Sequence, residues 1–296
     1  MFETLKNVFR VKEMRRKLLY LIWMIFIIRI GCQIPVPGVD SDFFKQWFSS
    51  NAGDAFNFFD AFTGGSFERM SIFALNITPY ITSSIIIQLL TIAIPALEEM
   101  QRDGEEGRKK MTAITRYVTV GLALFESIAM AIGFGRQGMI PNLDFFKGVV
   151  VVACLTAGSA MLMWLGERIT EKGVGNGISI VLTINIISRV PSDLTLLYEN
   201  FIKGKTIAKG TLAGLIIAAV ILLVVVLVLI LNGAERRIPV QYSKKMVGRK
   251  LMGGQSTNIP LKVNTAGVIP VIFASSIMSF PAVIAQLTGK GNGTGI

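Results

Sequence analysis

The chain has 296 residues, of which 52% are hydrophobic, and its mean hydropathy of +0.58 excludes an ordinary soluble domain. The formal net charge is +11, and the sequence contains no histidine, which is the commonest general base and a frequent metal ligand. We therefore expect a basic integral membrane protein that is not an enzyme and holds no cofactor or metal.

The N-terminal part combines a basic surface segment with a first membrane span. Residues 1–17 carry six basic side chains and are predicted to form an amphipathic helix on the cytoplasmic membrane surface. Residues 18–32 are the first predicted span, and Arg29 near its far end is expected to extend to the membrane interface. The sequence Pro-Val-Pro-Gly then ends the helix.

The second predicted span, residues 71–97, is uncharged and exceeds the roughly 20 apolar residues that a bilayer crossing needs. Pro79 and Pro95 interrupt its backbone hydrogen bonds. Polar side chains recur along it at helical spacing: Asn76, Tyr80, Ser83, Ser84, Gln88 and Thr91. This face indicates either a water-filled path or burial against neighbouring helices, and the residues alone leave both interpretations open.

Five further spans are predicted, at residues 117–134, 148–165, 178–187, 211–231 and 265–287. The last of them resembles the second span because prolines and serines interrupt it. A glycine-rich turn is expected at residues 166–177 and a polar loop at residues 191–210.

Most of the 30 lysine and arginine residues fall in the N-terminal segment and in the loops after the second, fourth and sixth spans. The positive-inside rule therefore predicts a cytoplasmic N-terminus and an external tail at residues 288–296. Residues 232–262 form a long basic loop. The positive charge of this loop serves one of two purposes. It keeps the loop on the cytoplasmic side near anionic lipid, or it docks an acidic partner or RNA phosphates.

Several stretches resemble the bacterial SecY family, the pore-forming subunits of the Sec protein translocon. They follow one another through nearly the whole chain: RIG and IPVPG in 29–38, GGSFERMSIFAL, PYI and SIIIQLL in 64–90, EEGRKK and TRY in 105–117, WLGE and GNGIS in 164–179, and QST, PLKVN, GVIP and IFASS in 255–276.

The resemblance implies an all-α integral membrane protein, a polytopic helix bundle of the SecY channel type. The family has ten spans in two halves, whereas seven are predicted here. Residues 18–190 correspond to the first half, with five spans, and residues 211–287 supply two spans of the second half. We therefore expect a truncated form of the family's chain, which by itself does not form a sealed pore.

The resemblance also implies the site residues. A ring of aliphatic side chains is expected to close the pore: Ile77, Ile81, Ile178, Leu182 and Ile272. Leu182 stands where the family usually has isoleucine. A short plug is expected at residues 56–67. A lateral gate between the second and seventh spans is expected to include Thr82, Ser83, Gln88, Ser276 and Phe280, and the docking loop to use Arg236, Arg237, Lys244, Lys245, Arg249 and Lys250.

The function that this resemblance implies is translocation of secretory proteins across the bacterial cytoplasmic membrane and lateral release of membrane proteins into it. The implied partners are SecE, SecG, the SecA motor ATPase, the ribosome, signal sequences, nascent polypeptides and membrane lipids. A secondary transporter is the main alternative, and it should place fixed polar groups at the bilayer midplane, where the ring predicts isoleucine and leucine. A purely structural scaffold would not require a polar face on two spans.

Overall fold

A computed structural model describes residues 10–41, 43–46, 60, 62–136, 138, 140, 144–201, 207–240, 245–247, 250–252, 257–265, 267 and 274. The predicted external tail and nearly all of the seventh span, with Ile272, Ser276 and Phe280, lie outside these residues, as do Lys244 and Arg249. The chain divides into two compact units, which are described separately below: Met1–Pro191 with Phe273–Ile296, and Ser192–Ile272.

Helix α1 spans Lys12–Gly31 without a break at residue 17, so the end of the predicted surface helix and the first span form one element. Its exposed aromatic residues include Trp23 and Phe26, whose rings stack with centroids 6.0 Å apart. After the helix, Pro35 forms an isolated antiparallel bridge to Ser71. This bridge brings the start of the second predicted span beside the end of the first.

The second predicted span is not one helix. Residues 72–77 are turns, α2 spans Thr78–Ala93, and α3 spans Pro95–Arg102 at an angle of 104° to α2. Each proline lies in the first turn of its helix, where the backbone nitrogen needs no partner. The predicted interruption is therefore confirmed at Pro95, where α2 ends and the chain bends into α3, whereas Pro79 lies in the first turn of α2 and interrupts no helix.

Two long helices follow, α4 at Gly104–Arg136 and α5 at Phe145–Lys172. They contain the third and fourth predicted spans and extend each by at least a turn. Their interface is fastened by Ser127 and Thr156, whose hydroxyl oxygens lie 2.7 Å apart.

Helix α6 spans Gly177–Phe201 and α7 spans Ile207–Gly233. Because α6 continues past Pro191, the polar loop predicted from residue 191 begins about three turns too early. Among the described residues, four helices are long and apolar enough to cross a membrane: Gly104–Gly135, Phe145–Lys172, Gly177–Phe201 and Gly210–Gly233. The bent pair α2–α3 is a fifth if it counts as one span, whereas α1 is not among them.

The second unit contains strands that the sequence did not predict. Strand β1, Glu235–Val240, pairs antiparallel with β4, Thr257–Lys262, and β2, Lys245–Val247, pairs with β3, Lys250–Met252. The Asn264 amide donates to Asn232 Oδ1 at 3.2 Å, so the ends of the basic loop 232–262 meet at its base. In the described part of the loop, the strands therefore form two short antiparallel hairpins, and the larger one, β1 with β4, lies at the base.

The core of the first unit consists of two apolar clusters. In the first, Phe44 contacts Phe67 and Phe134 edge to face, with ring centroids 5.9 and 5.0 Å apart. The second joins α1, α5 and α6 around Ile28, Leu162 and Val181. This second cluster contains most of the described residues of the predicted ring.

Candidate functional site

The structure brings three predicted ring residues into the second apolar cluster. Ile77 precedes α2 and is fully buried, Ile81 lies one turn later, and Ile178 lies in the first turn of α6. Leu182, one turn beyond Ile178, is half-buried and belongs to neither cluster of the described residues. That these side chains line a pore stays a prediction.

A tight turn between α5 and α6 positions Ile178. Gly177 donates its backbone N–H to Thr170 Oγ1 at 2.8 Å, and the Asn176 side chain accepts the N–H of Ile178 at 3.1 Å. A Cβ on Gly177 would lie 2.0 Å from the carbonyl oxygen of Gly166, so only glycine fits there. The turn and cap chemistry predicted for residues 166–177 is thus confirmed at residues 173–177, whereas the prediction of a turn is wrong for residues 166–172, which continue α5 to Lys172.

The described part of the predicted plug, Asp60 and residues 62–67, is called the plug loop below. Its conformation is fixed from within, because the Thr63 hydroxyl lies 3.0 Å from the carbonyl oxygen and 3.1 Å from the carboxylate of Asp60. The same carboxylate accepts the N–H of Glu68 at 3.0 Å. The side chain of Phe67 packs in the first apolar cluster and so holds the end of the loop there.

A polar network fastens the plug loop to the helices around it. The Asn76 amide donates to the carbonyl oxygen of Phe62 at 2.9 Å, and the Asn185 amide donates to Asn76 Oδ1 at 3.1 Å. Arg29 Nη1 donates to Asn185 Oδ1 at 3.3 Å, and Asp60 forms an ion pair with Arg189. The guanidinium group of Arg29 is therefore a member of this network, and its expected place at the membrane interface stays a prediction.

Asp60, Asn185 and Arg189 were not among the site residues predicted from the sequence. The available signal was chemical: ionisable and amide groups within apolar helices almost always pair with one another. Among the described residues, no group of three histidine, cysteine, aspartate or glutamate side chains is close enough to hold a metal ion.

The three described gate residues do not share one face of α2. Ser83 is fully buried against α4, where its hydroxyl lies 2.6 Å from that of Thr119. Thr82 bonds the carbonyl oxygen of Thr78 in its own helix, and Gln88 is exposed. The predicted place of Ser83 on a gate does not fit this burial, whereas Thr82 and Gln88 stay predictions.

The basic loop presents two of its predicted docking residues on the larger hairpin. Arg236 and Arg237 are both exposed on β1, opposite Leu261 and Pro260 of β4. Lys245 begins β2 and Lys250 begins β3. Because successive residues of a strand point to opposite faces, the two arginines offer positive charge on both sides of the hairpin.

The amino-acid sequence is similar to one family profile and to several of its known members. The family profile described as SecY matches residues 71–294. The protein translocase subunit SecY of Halalkalibacterium halodurans is 44% identical over 298 residues, which cover 98% of this chain and 68% of that protein. The subunit of Streptomyces galbus is 43% identical over 99% of this chain and 69% of its own length, and that of Escherichia coli (strain K12) is 43% identical over 95% and 64%.

Solved structures share the fold. A protein-conducting channel superposes with a TM-score of 0.62 at 19% identity, covering 92% of this chain and 58% of the other. Sec61 in a canine ribosome-channel complex from the endoplasmic reticulum gives 0.60 at 19% identity, covering 92% and 59%. The chain therefore spans 64% to 69% of the length of the three relatives named above and a smaller share of these structures. By the match of the family profile and the identity to its relatives, this chain belongs to the SecY family.

Proposed function

We propose that the complete protein is the central subunit of a protein-conducting channel. It translocates secretory proteins across the bacterial cytoplasmic membrane and releases membrane proteins laterally into it. The observation that carries this proposal is the convergence of Ile77, Ile81 and Ile178 in one apolar cluster, with the plug loop bonded directly beside it through Asn76. Membership of a family whose relatives are named protein translocase subunits supports the same function.

An aliphatic ring suits a channel for polypeptides. Its side chains offer an ion no replacement for its hydration shell, so a narrow ring hinders ions by dewetting. They also offer a passing peptide no fixed polar partner, so sequences of any composition slide through. A secondary transporter would instead need coordinating groups at this depth, whereas the cluster that contains Ile77 also contains Phe73, Leu165 and Val181.

The proposed topology places the N-terminus and the basic hairpins in the cytoplasm, because the lysine and arginine residues concentrate on that side. Arg236 and Arg237 then face soluble partners with exposed positive charge. These partners are the ribosome and SecA. Solved structures similar in fold include Sec61 and Ssh1 complexes with ribosomes, which supports the first of them. SecE and SecG complete the proposed assembly.

The proposed lateral gate opens between the second and seventh spans for hydrophobic signal sequences. Thr82, Gln88, Ser276 and Phe280 are its proposed residues, and Ser83 is left out because it packs on α4. Exposed Gln88 supports an open side of α2 in the described part of the chain.

Site-specific photocrosslinking tests this function in the full-length protein. A photoreactive residue replaces Ile81, and a matched control replaces Leu222, which is exposed on the apolar helix α7. With a stalled secretory precursor, we expect the precursor to crosslink at position 81 and lipid to crosslink at position 222. If an engaged precursor leaves position 81 crosslinked only to lipid or neighbouring helices, the channel function of these residues is refuted.

A further inference from the structure

An apolar cavity lies between the end of α4 and the beginning of α5. Its volume is about 450 Å³, and pockets for small ligands usually measure about 300–1,000 Å³. Apolar residues of both helices form its walls: Ile128, Ala131 and Ile132 of α4, and Gly148, Val149 and Val152 of α5. The cavity therefore has the size of a ligand site and walls that suit a hydrocarbon.

The floor of the cavity belongs to the protein core, and its rim faces outwards. Ala131 is a member of the first apolar cluster, and Val152 packs against that cluster. At the rim, Ile128 and Val149 are exposed, and Phe145 is 87% exposed. The cavity therefore opens away from the core, on the side that a pair of membrane-spanning helices presents to lipid.

The depth of the cavity follows from its extent along α5. Both α4 and α5 are long and apolar enough to cross a membrane, and the charged residue Asp144 places the start of α5 near the membrane interface. From Phe145 to Val152 the helix rises by about 10 Å. Half of the hydrocarbon core is about 15 Å thick. The cavity thus stays within one leaflet, as a single acyl chain does.

Asp144 lines the outer end of the cavity and gives it a negative charge. Its carboxylate accepts the N–H of Phe145 at 2.9 Å and so caps α5, and no other described residue donates to it. Lys147 is not among the described residues that line the cavity. A phosphate group at this end would meet a carboxylate, whereas an ammonium group would be attracted to it.

We propose that this cavity binds one acyl chain of a phospholipid whose headgroup carries an ammonium group, as in phosphatidylethanolamine, with the ammonium group beside Asp144. A second protein helix fits this cavity less well. Helices associate in membranes through small residues that let their backbones approach, and the exposed side chains of Ile128 and Phe145 hold a backbone away. A flexible chain enters between them. The proposal requires only that α4 and α5 cross the membrane, so it is independent of the channel function.

Gly148 allows the cavity to be filled without a clash in the core, because a Cβ there meets nothing within 4 Å. The filling variant is Gly148→Leu. Its matched control is Gly121→Leu, since Gly121 is exposed on α4, lies outside the cavity and also has nothing within 4 Å of an added Cβ. A third variant, Asp144→Asn, removes the charge and keeps an oxygen that caps α5.

The test uses the full-length complex in phosphatidylglycerol liposomes. They contain a trace of phosphatidylethanolamine or phosphatidylglycerol with a diazirine on one acyl chain, and mass spectrometry maps the crosslinked peptides. We expect labelling of residues 128–132 and 145–152, about threefold stronger with phosphatidylethanolamine, which is the size of effect expected for an exposed ion pair. Gly148→Leu should remove most of this labelling, Gly121→Leu should preserve it, and Asp144→Asn should abolish the preference between the two lipids.

Labelling that survives Gly148→Leu would mean that the acyl chain lies outside the cavity, and it would overturn the site. Equal labelling by the two lipids in the parent protein would overturn the choice of headgroup. If residues 128–132 and 145–152 stay unlabelled while the peptide around Gly121 is labelled, a partner subunit covers the cavity and the proposal is wrong. Failure of the channel function is reported separately, by the precursor crosslinks at Ile81.

Discussion

Arg189→Gln removes the positive charge beside a carboxylate that has no contact with water. Removing one partner of a buried ion pair costs about 3–5 kcal/mol, since the other charge stays buried without compensation. The Asp60 side chain is fully buried and that of Arg189 is 19% exposed, so we expect the lower end of this range. A cost of about 3 kcal/mol shifts the equilibrium between seated and released plug by roughly a hundredfold.

The matched control is the double variant Asp60→Asn with Arg189→Gln. It replaces the ion pair with two neutral amides of similar size, and it leaves no uncompensated charge in the interior. We expect the double variant to restore most of the bound plug loop that Arg189→Gln alone loses. One measurement is the rate at which a membrane-impermeant maleimide alkylates Cys32, which is buried beside Ser66 of the plug loop. The other is the open time of single channels in planar bilayers.

If the double variant releases the plug as readily as Arg189→Gln alone, the effect does not come from the stranded Asp60 carboxylate. The assignment of this pair as a fastening of the plug would then be wrong. A single variant indistinguishable from the parent would refute the pair's contribution altogether.

Three other outcomes are expected. Ile81→Asn places an amide in the apolar cluster and should raise ion leak in planar bilayers; unchanged conductance counts against the ring. Glutamate at Arg236 and Arg237 should weaken ribosome or SecA binding by about 1 kcal/mol per charge, and salt should reduce the difference. Gly158→Ala puts a Cβ 2.0 Å from the carbonyl oxygen of Ile72 and should cost about 1–3 kcal/mol, measured as a lower thermal midpoint in detergent.

Two residues of the polar face of the second span are buried against other parts of the protein, which was one of the two interpretations of that face. Ser83 bonds Thr119 of α4, as expected for a polar group buried between helices. Asn76, by contrast, holds the plug loop, and its φ of 53° lies in the left-handed region that asparagine tolerates better than most residues. Sequence spacing placed these residues on related faces, and it contained no information on which neighbour each would meet.

The prolines illustrate a limit of local rules. Pro79 and Pro95 were predicted to break one helix, and in the structure each lies in the first turn of a helix. Proline is unfavourable inside a helix and favourable in its first turn for the same reason, the missing N–H. The local chemistry was therefore right, and the boundary depended on where the preceding turn at residues 72–77 begins.

The sequence by itself determined the membrane class, the apolar helices at α4, α5 and α7, and the family, because these follow from composition and from motifs in a fixed order. It also supplied the aliphatic character of the predicted ring. Tertiary structure alone decided the partners of Arg29, Asp60 and Arg189. The Arg29–Asn185 bond joins positions 156 apart, and no local pattern specifies such a pair. Buried polar groups must find partners, and only the packed helices determine which ones.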